Sequence, residues 1–424
     1  MPKIFRPASE AELATGLAEA AAKGWALSVQ GQRTHAMLGR RMATDRVLDG
    51  TALLGPLDYD PAELVLTAPA GTLRSQIEQT LAARNHMLAF EPPGLDWLGH
   101  GPTKDGTIAG LVATNLAGPR RIAAGAVRDH VLGVRAVTGR GLAFKSGGRV
   151  VKNVTGYDLG KLLSGSFGTL AVLSEVTLRV VARPQDTLTL LMRAPDVATA
   201  VLVMGQALGC AQAVSGAAYL PAAIMPQSGL LPAGLPPALA GGQGLVGQGL
   251  VALRLEGFSE TLPVRRDALL AGFDGAKALD VLPQAQSAAL WEAVGAGRLL
   301  SDPRPDLLWR ASIPPSEAAR LLADFETRPD WRFFLDWGGG LVWLANHADH
   351  ALSEAAAVAI DRDLRQRLGQ LGGHGLLLLA PEAWRNSLHA FQPLSAAELD
   401  LSRRAKAAFD PAGILNPGIM HPEL

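Results

Sequence analysis

The sequence predicts an α+β protein built in two parts, and three observations carry that reading. The chain has 424 residues, more than one ordinary hydrophobic core organises. Short apolar runs of strand type alternate with helical periodicities along most of its length. A stretch dense in glycine, Gly106–Val180, is followed at Pro184 by a boundary, beyond which a second set of strands and helices begins.

The first helix opens at Ser9. Its hydroxyl is placed to cap, Glu12 sits three residues on as in a capping box, Leu13 and Leu17 share a face, and Gly24 ends it. Trp25–Val29 is a short apolar strand leading into QGQRTHAMLGR. Val47–Leu48, Leu64–Ala68 and a helix over Leu73–Ala83 continue the alternation. In Phe90-Glu91-Pro92-Pro93-Gly94, two prolines before a glycine fix an extended turn suited to walling a flat ring. His100 and Lys104 fall in a surface loop.

GTIAGLVATN is a strip of small residues around Gly106, Thr107, Ala109 and Gly110, with Thr114 and Asn115 as polar groups needing partners. It reads either as a place where amides meet a ligand or as a helix N-terminus capped by Thr107, and the two are compatible. Arg120, Arg121, Arg128 and Asp129 lie close together, and Val131–Val137 is a strand starting just after Asp129. Lys152, Asn153 and Asp158 follow, with Asp158 placed to cap a helix Leu159–Leu163. Thirteen glycines between 106 and 168 give a backbone able to approach a planar or phosphorylated ligand. On spacing alone, the glycine-punctuated turns of any α+β domain explain them equally well.

After Pro184, strands are expected over Thr187–Met192, Val214–Tyr219, Leu250–Leu255, Leu308–Ile313, Phe333–Leu335, Leu341–Leu344 and Leu376–Leu379. Helices are expected over Ala198–Leu208, Ser316–Phe325 (capped by Ser316) and Ala355–Leu368. That alternation suggests an α/β sandwich of ferredoxin-like type. Gly242–Gly247 matches GxGxxG formally, but it lies in a proline-glycine loop before a strand, so it is rejected as a dinucleotide fingerprint.

Composition narrows the function. Lys+Arg and Asp+Glu both number 39, which leaves no basic excess for nucleic acid. The single cysteine, Cys210, excludes an internal disulfide and a cysteine-ligated iron–sulfur cluster on this chain. Val197–Leu253 carries no charge, yet prolines and glycines break it below the ~20 apolar residues of a membrane span. It reads as a buried sheet face plus a loop, or as a contact surface for another subunit. No signal peptide is apparent at the N-terminus, so the expected compartment is the cytosol.

Two segments, AGPRRIAAGAVRDHVLGVRAVTGRG and KNVTGYDLGKLLSGSFGTLAVLSEVTLRV, resemble the FAD domain of the vanillyl-alcohol-oxidase type, also called the PCMH type. Within it they look most like the FAD-binding subunits of bacterial glycolate oxidases. The resemblance covers about Ser9–Pro184 and the tail Phe409–Met420. It implies a PCMH-type FAD-binding domain over 1–183, a ferredoxin-like cap over 184–393, and a C-terminal segment, 394–424, returning to the FAD domain.

The resemblance places the diphosphate loop at Gly31, Gln32, Arg33, Thr34 and His35. This loop departs from the family's usual run of glycines. It places a second cofactor strip at Gly106, Thr107, Ala109, Gly110, Thr114 and Asn115, with Pro92, Asp129, Gly168 and Val172 completing the cofactor set. The family's covalent histidine aligns with Thr34, so noncovalent FAD is expected. A loop facing the flavin makes Arg120 or Arg121 a candidate for a carboxylate, and Lys152 a candidate for charge on the reduced ring.

Oxidation of a 2-hydroxy acid needs a base, a cationic site for the carboxylate and a hydride path. His347, His350, His374 and His389 form no close HxH or HxxxH pair, no metal is expected, and no catalytic residue is assigned. The expectation is a flavin subunit working with a sister FAD-containing dehydrogenase subunit and an iron–sulfur subunit, cytoplasmic or peripheral at the inner membrane through those partners. The alternatives are a self-sufficient FAD-dependent hydroxy acid dehydrogenase and an assembly subunit that has lost FAD.

Overall fold

The computed structural model describes residues 3–99, 105–149, 156–224, 249–273, 278–347 and 352–424. His100, Lys104, Lys152, Asn153, Gly242–Gly247 and His350 therefore lie outside the described residues.

The N-terminal part holds two sheets. Strands β1 (Lys3–Phe5), β2 (Leu27–Gln30) and β3 (Arg46–Asp49) form a small parallel sheet in the order β1-β3-β2. Strands β4 (Asp58–Asp60), β5 (Val65–Pro69), β7 (Val131–Thr138), β8 (Ala143–Gly147) and β9 (Ala171–Arg179) form an antiparallel sheet in the order β4-β5-β9-β7-β8. A ribbon of β6 (His86–Met87) and β10 (Val181–Ala182) closes this part.

The first helix, Glu10–Lys23, starts as its cap chemistry requires. Ser9 Oγ accepts from Glu12 N at 3.2 Å, and Gly24 ends the helix at φ +62. Leu13 and Leu17 bury its inner face against Leu27, Leu48 and Val137. Two residues from the far end of the chain, Ile414 and Leu415, complete that core. Leu27 N donates to Ile414 O at 2.7 Å, so the tail is stitched to β2 by main chain as well as by packing. The buried Lys406 anchors it further, donating to Thr169 O and Leu415 O and pairing with Asp410 at 2.9 Å.

The second part is one antiparallel sheet of eight strands. They are β11 (Asp186–Arg193), β12 (Gly216–Leu220), β13 (Leu250–Gly257), β14 (Asp280–Leu282), β15 (Leu307–Ser312), β16 (Trp331–Asp336), β17 (Leu341–Asn346) and β18 (His374–Leu379). Their spatial order is β14-β11-β13-β12-β16-β17-β15-β18. This is the ferredoxin-like βαββαβ unit used twice. In each half the first strand lies between the fourth and the third, and the second lies outermost beside the third. The two halves fuse edge to edge where Tyr219 pairs with Leu335. Alternation along the strands decides which residues look where. One face, with Leu190, Leu253, Trp309, Leu335 and Leu344, packs under the helices Val197–Gly209, Leu262–Ala271, Ala318–Leu322 and Glu354–Gln370. The other face, with Leu191, Ala252, Leu308, Phe334 and Trp343, receives the helix Gln284–Gly295 and also Leu38, Leu95, Leu98 and Leu116 of the N-terminal part.

Most expected elements appear with boundaries shifted by a residue or two. One expectation is corrected. Ser316 caps no helix: Pro315–Glu317 is a 3-10 turn, and the following helix runs only over Ala318–Leu322 without a side-chain cap. The adjacent prolines 314 and 315 bring a fixed φ and no amide, which favours a tight turn first. The helices Leu262–Ala271, Gln284–Gly295 and Ala396–Phe409 were not anticipated. The last has a readable signal, the reciprocal Ser395–Glu398 capping box. No helix among the described residues is long and apolar enough to cross a membrane.

Candidate functional site

A cleft of about 310 Å³ runs along the C-terminal end of β2, and a second of about 90 Å³ adjoins it. They share walls at Val29, Gln30, Gly31, Thr107, Gly110, Ala113, Phe167 and Asn416. The first continues past Gln32, Arg33, Thr34 and His35 toward Arg40 and Arg385, and the second past Ala109, Gly168, Ala171 and Val172.

The two small-residue strips approach each other closely here. A Cβ on Gly31 would stand 2.6 Å from Thr107 Oγ1, and one on Gly106 would stand 3.0 Å from Thr34 Oγ1. Glycine at these positions is therefore a matter of space. The loop after Gly31 turns back through Arg33, at φ +62. Among the described residues, the amides of Gln32, Arg33, Thr34 and His35 donate to no acceptor. Four consecutive free amides in a reversed turn form a nest, a concavity that suits an anion. Arg33 and Arg40 line the same cleft, and neither has an acidic partner among the described residues. Arg385 braces the loop from behind, donating to Leu38 O at 2.9 Å, Gly39 O at 3.1 Å and Ala36 O at 3.2 Å. His35 lines the wall and lies 3.4 Å from Thr34 Oγ1. Burial, helped by the charge of Arg74, pulls its pKa down to about 4, so its ring is neutral at physiological pH.

These features fit a dinucleotide-sized, diphosphate-bearing cofactor. Unclaimed amides and unpaired guanidiniums meet the anion, and the glycine walls admit it. The narrower extension, lined by main chain near Gly168 and Val172, can take a flat ring by backbone contacts. Of the residues expected from the sequence, Gly31 to His35, Thr107, Ala109, Gly110, Thr114, Gly168 and Val172 line the two clefts.

Gly106, Asn115, Asp129 and Pro92 are not among the residues lining these two clefts. Thr107 caps the helix Ile108–Thr114 by accepting from Gly110 N at 3.2 Å. Thr114 donates to its own helix at Gly110 O, 2.9 Å away. Asn115 ends that helix at φ +51 and accepts from Arg128 N at 3.0 Å. Asp129 accepts from Ala126 N at 2.8 Å. Pro92 borders a different cavity, of about 440 Å³, between the two parts of the chain.

Among the cleft residues that sequence reasoning did not assign to the site is Asn416. It is 3% exposed, and its side chain joins three segments around the cleft. Oδ1 accepts from Val29 N at 2.7 Å, and Nδ2 donates to Phe167 O at 2.7 Å. The turn-forming Asn-Pro-Gly was visible in the sequence; its partners, hundreds of residues away, were not.

The interface between the two parts is held by buried charge. Glu91 accepts from Arg254 Nη1 at 2.8 Å and Nη2 at 3.0 Å, and from Arg120 N at 2.7 Å. Arg120 also donates through Nε to Glu256 at 3.1 Å. Burial opposes ionisation of Glu91, but the two guanidiniums outweigh it and hold its pKa below the usual carboxylate value. Arg120 is therefore committed to the interface.

Comparison with known proteins agrees with this geometry. Residues 2–147 match the FAD binding domain family, and residues 392–420 match the C-terminal domain of FAD linked oxidases. The chain is 32% identical over 398 residues to the glycolate oxidase subunit GlcE of Escherichia coli, covering 94% of this chain and 93% of that protein. It is 29% identical over 198 residues to a D-lactate dehydrogenase of Archaeoglobus fulgidus, covering 47% of this chain and 43% of that one. Among solved structures, an alkyldihydroxyacetonephosphate synthase superposes with a TM-score of 0.66 over 98% of this chain and 76% of its own, at 15% identity, which is a likeness of fold. With 32% identity along nearly the whole of both chains, the protein belongs to the family of FAD-linked oxidoreductase subunits that includes glycolate oxidase subunit GlcE, and its cofactor is FAD.

Proposed function

We propose that this chain is the FAD-binding subunit of a complex that oxidises glycolate or a related 2-hydroxy acid to the 2-oxo acid, with electrons leaving to an iron–sulfur partner subunit and a sister FAD-containing dehydrogenase subunit assembled beside it. The complex is cytoplasmic or held peripherally at the inner membrane through those partners. The observation that carries the reading is the nest of free amides at Gln32–His35 facing the Thr107–Gly110 strip, in a chain alike over its whole length to a glycolate oxidase subunit.

When bound, FAD supplies the acceptor for the two electrons released as the hydroxyl carbon becomes a ketone or aldehyde. The chain's own residues bind and orient it. Gly31 to His35 and Arg33 take the diphosphate, Gly106 to Gly110 form the facing wall, and Gly168 and Val172 meet the nucleotide base through main chain. Residues 1–183 act as the FAD-binding domain, 184–393 as the cap, and 394–424 as the strap that seals the cleft through Asn416. The single cysteine, Cys210, leaves no thiolate set for a cluster here, so an iron–sulfur centre belongs to another chain.

The test is a visible spectrum of the chain purified alone and with its partners, followed by anaerobic addition of glycolate. A yellow chain that bleaches only in the complex supports the proposal. Bleaching of the isolated chain favours a self-sufficient dehydrogenase, and a colourless chain that still assembles refutes the flavin role.

A further inference from the structure

Three segments of the chain meet at a cavity of about 200 Å³ that shares Arg40 with the larger cofactor cleft. Arg40 comes from the loop that follows the diphosphate nest, Asn386 and His389 from the cap, and His421 and Glu423 from the tail. Hydrogen bonds knit the three together. Arg40 N donates to Ile419 O at 2.8 Å, Arg40 Nη1 to Asn386 O at 3.0 Å, and Arg41 N to Asn386 Oδ1 at 2.9 Å.

The two histidines at this cavity are held in opposite ways. His389 is fixed: its Nδ1 lies 2.8 Å from Asp361 Oδ2, and its amide donates to the same oxygen at 3.0 Å. Asp361 is buried and also accepts from Arg365 Nε at 3.1 Å and Trp309 Nε1 at 3.2 Å. The His421 ring, half-buried, makes no hydrogen bond among the described residues and is held by packing. Its centre lies 5.9 Å from that of Phe391, which stands edge-on to Phe167 at 4.9 Å. Phe167 lines both cofactor clefts. A short way upstream, Asn416 ties the same tail to Val29 and Phe167. A movement of His421 therefore reaches the cleft wall by two routes, through the rings and along the chain.

Packing of this kind suits a neutral ring better than a charged one. Burial holds the His421 pKa below its ordinary value; Glu423 pulls it up, while His389, Arg40 and Arg365 push it further down. Arg365 is balanced by Asp361, whereas Arg40 has no acidic partner among the described residues. Two acids bordering the region are engaged elsewhere, Glu354 with Ser387 and Glu382 with Arg41. A proton on His421 therefore enters a half-buried cavity that already holds an unbalanced positive charge. Because the folded value lies below the unfolded one of about 6.5, the packed tail is at full strength above that pH and weakens as pH falls through the folded value.

We propose that His421 is a pH-sensitive latch on the cofactor site: protonation of its ring drives residues 416–424 away from Arg40 and the His389 loop and loosens the wall formed by Asn416 and Phe167. The consequence for flavin rests on the FAD reading above; the movement of the tail does not. Neutral, the ring closes the cavity, braces Phe391 and leaves Arg40 free to face the diphosphate. Charged, it is repelled by Arg40 and is better solvated in water than in the cavity, so the tail lifts. The bonds from Leu27 N to Ile414 O and from Lys406 to Leu415 O lie upstream of Asn416 and keep the strap attached. The latch thus frees a short segment without unfolding the chain.

The experiment is hydrogen–deuterium exchange of residues 416–424 in the full-length chain between about pH 7.5 and about pH 5, corrected for intrinsic exchange, with loss of flavin after dilution followed by absorbance on the same samples. In wild type, protection of this segment should fall severalfold and flavin loss should accelerate severalfold as the pH drops. His421→Gln, which keeps a polar side chain and cannot titrate, should be flat in both. Glu423→Gln removes the acid that favours the proton and should move the transition to lower pH. Should His421→Gln loosen the tail at every pH, Glu423→Gln, exposed at the rim, still decides the matter, and an unmoved transition there overturns the latch. A wild-type tail equally protected across the range, or a His421→Gln tail that still opens with acid, overturns it as well. A tail that opens while flavin stays bound overturns its coupling to the cleft. A colourless chain whose tail opens through His421 refutes the flavin role but supports the latch, and a yellow chain whose tail is indifferent to pH does the reverse.

Discussion

Replacing Asn416 with alanine removes one side chain that holds three segments together. It deletes the 2.7 Å bond from Val29 N and the 2.7 Å bond to Phe167 O, leaving a donor and an acceptor unpaired in a wall that is 3% exposed at Asn416. An unsatisfied, largely buried group costs about 1–2 kcal/mol, so the pair costs about 2–4 kcal/mol. Alanine at φ +42, where asparagine is tolerated, adds about 1 kcal/mol. Against a typical stability of about 5–15 kcal/mol this is a large fraction. The assay is urea denaturation of the flavin-free chain followed by tryptophan fluorescence, together with flavin retained after gel filtration. Asn416→Ala should lose about 3–5 kcal/mol and most of its flavin. Asn416→Gly, free of the backbone penalty, should recover about 1 kcal/mol but not the flavin. An alanine variant as stable and as yellow as wild type would refute the idea that this residue sets the cleft wall.

Three other substitutions have expected outcomes of their own. Gly31→Ala places a methyl 2.6 Å from Thr107 Oγ1, so flavin content by absorbance should fall sharply while the circular dichroism spectrum stays unchanged. Glu91→Gln leaves the Arg254 side chain, 3% exposed, with Glu256 as its remaining ion-pair partner among the described residues, and should cost about 3–5 kcal/mol in a denaturation midpoint experiment. Asp336 has a folded pKa of about 7, raised by burial above its ordinary 3.8. Its contribution is therefore fully present below pH ~4 and is lost as pH rises through 7, about 4 kcal/mol in all. Asp336→Asn should flatten stability against pH across that window, and an unchanged slope would show that another group is responsible.

Local chemistry made much of the fold legible. The Ser9–Glu12 cap, the Thr107 cap and the Asp158 cap each act as their sequence context predicts, because a capping bond joins residues three apart. Seven of the eight strands of the second part were readable from apolar runs; the short β14 was not. That they form two βαββαβ units fused at Tyr219 and Leu335 was not, since pairing between strands far apart leaves no local mark. The site divides in the same way. Gly31 to His35 could be named only from the resemblance, since this loop lacks a run of glycines, whereas the strip Gly106 to Gly110 stood out by its small residues. Asn416 and Arg385 act across hundreds of residues.

The order of residues alone determined the two-part α+β plan, the absence of a thiolate set for metal clusters, and where small side chains open the main chain. Only the folded chain decided which arginines are spent on carboxylates and which are left without one. Arg120 meets Glu91 and Glu256, while Arg121, its neighbour, meets the face of Trp337. The reason is physical: the worth of a charge depends on burial and on what stands within a few ångströms of it, and those distances are set by long-range packing.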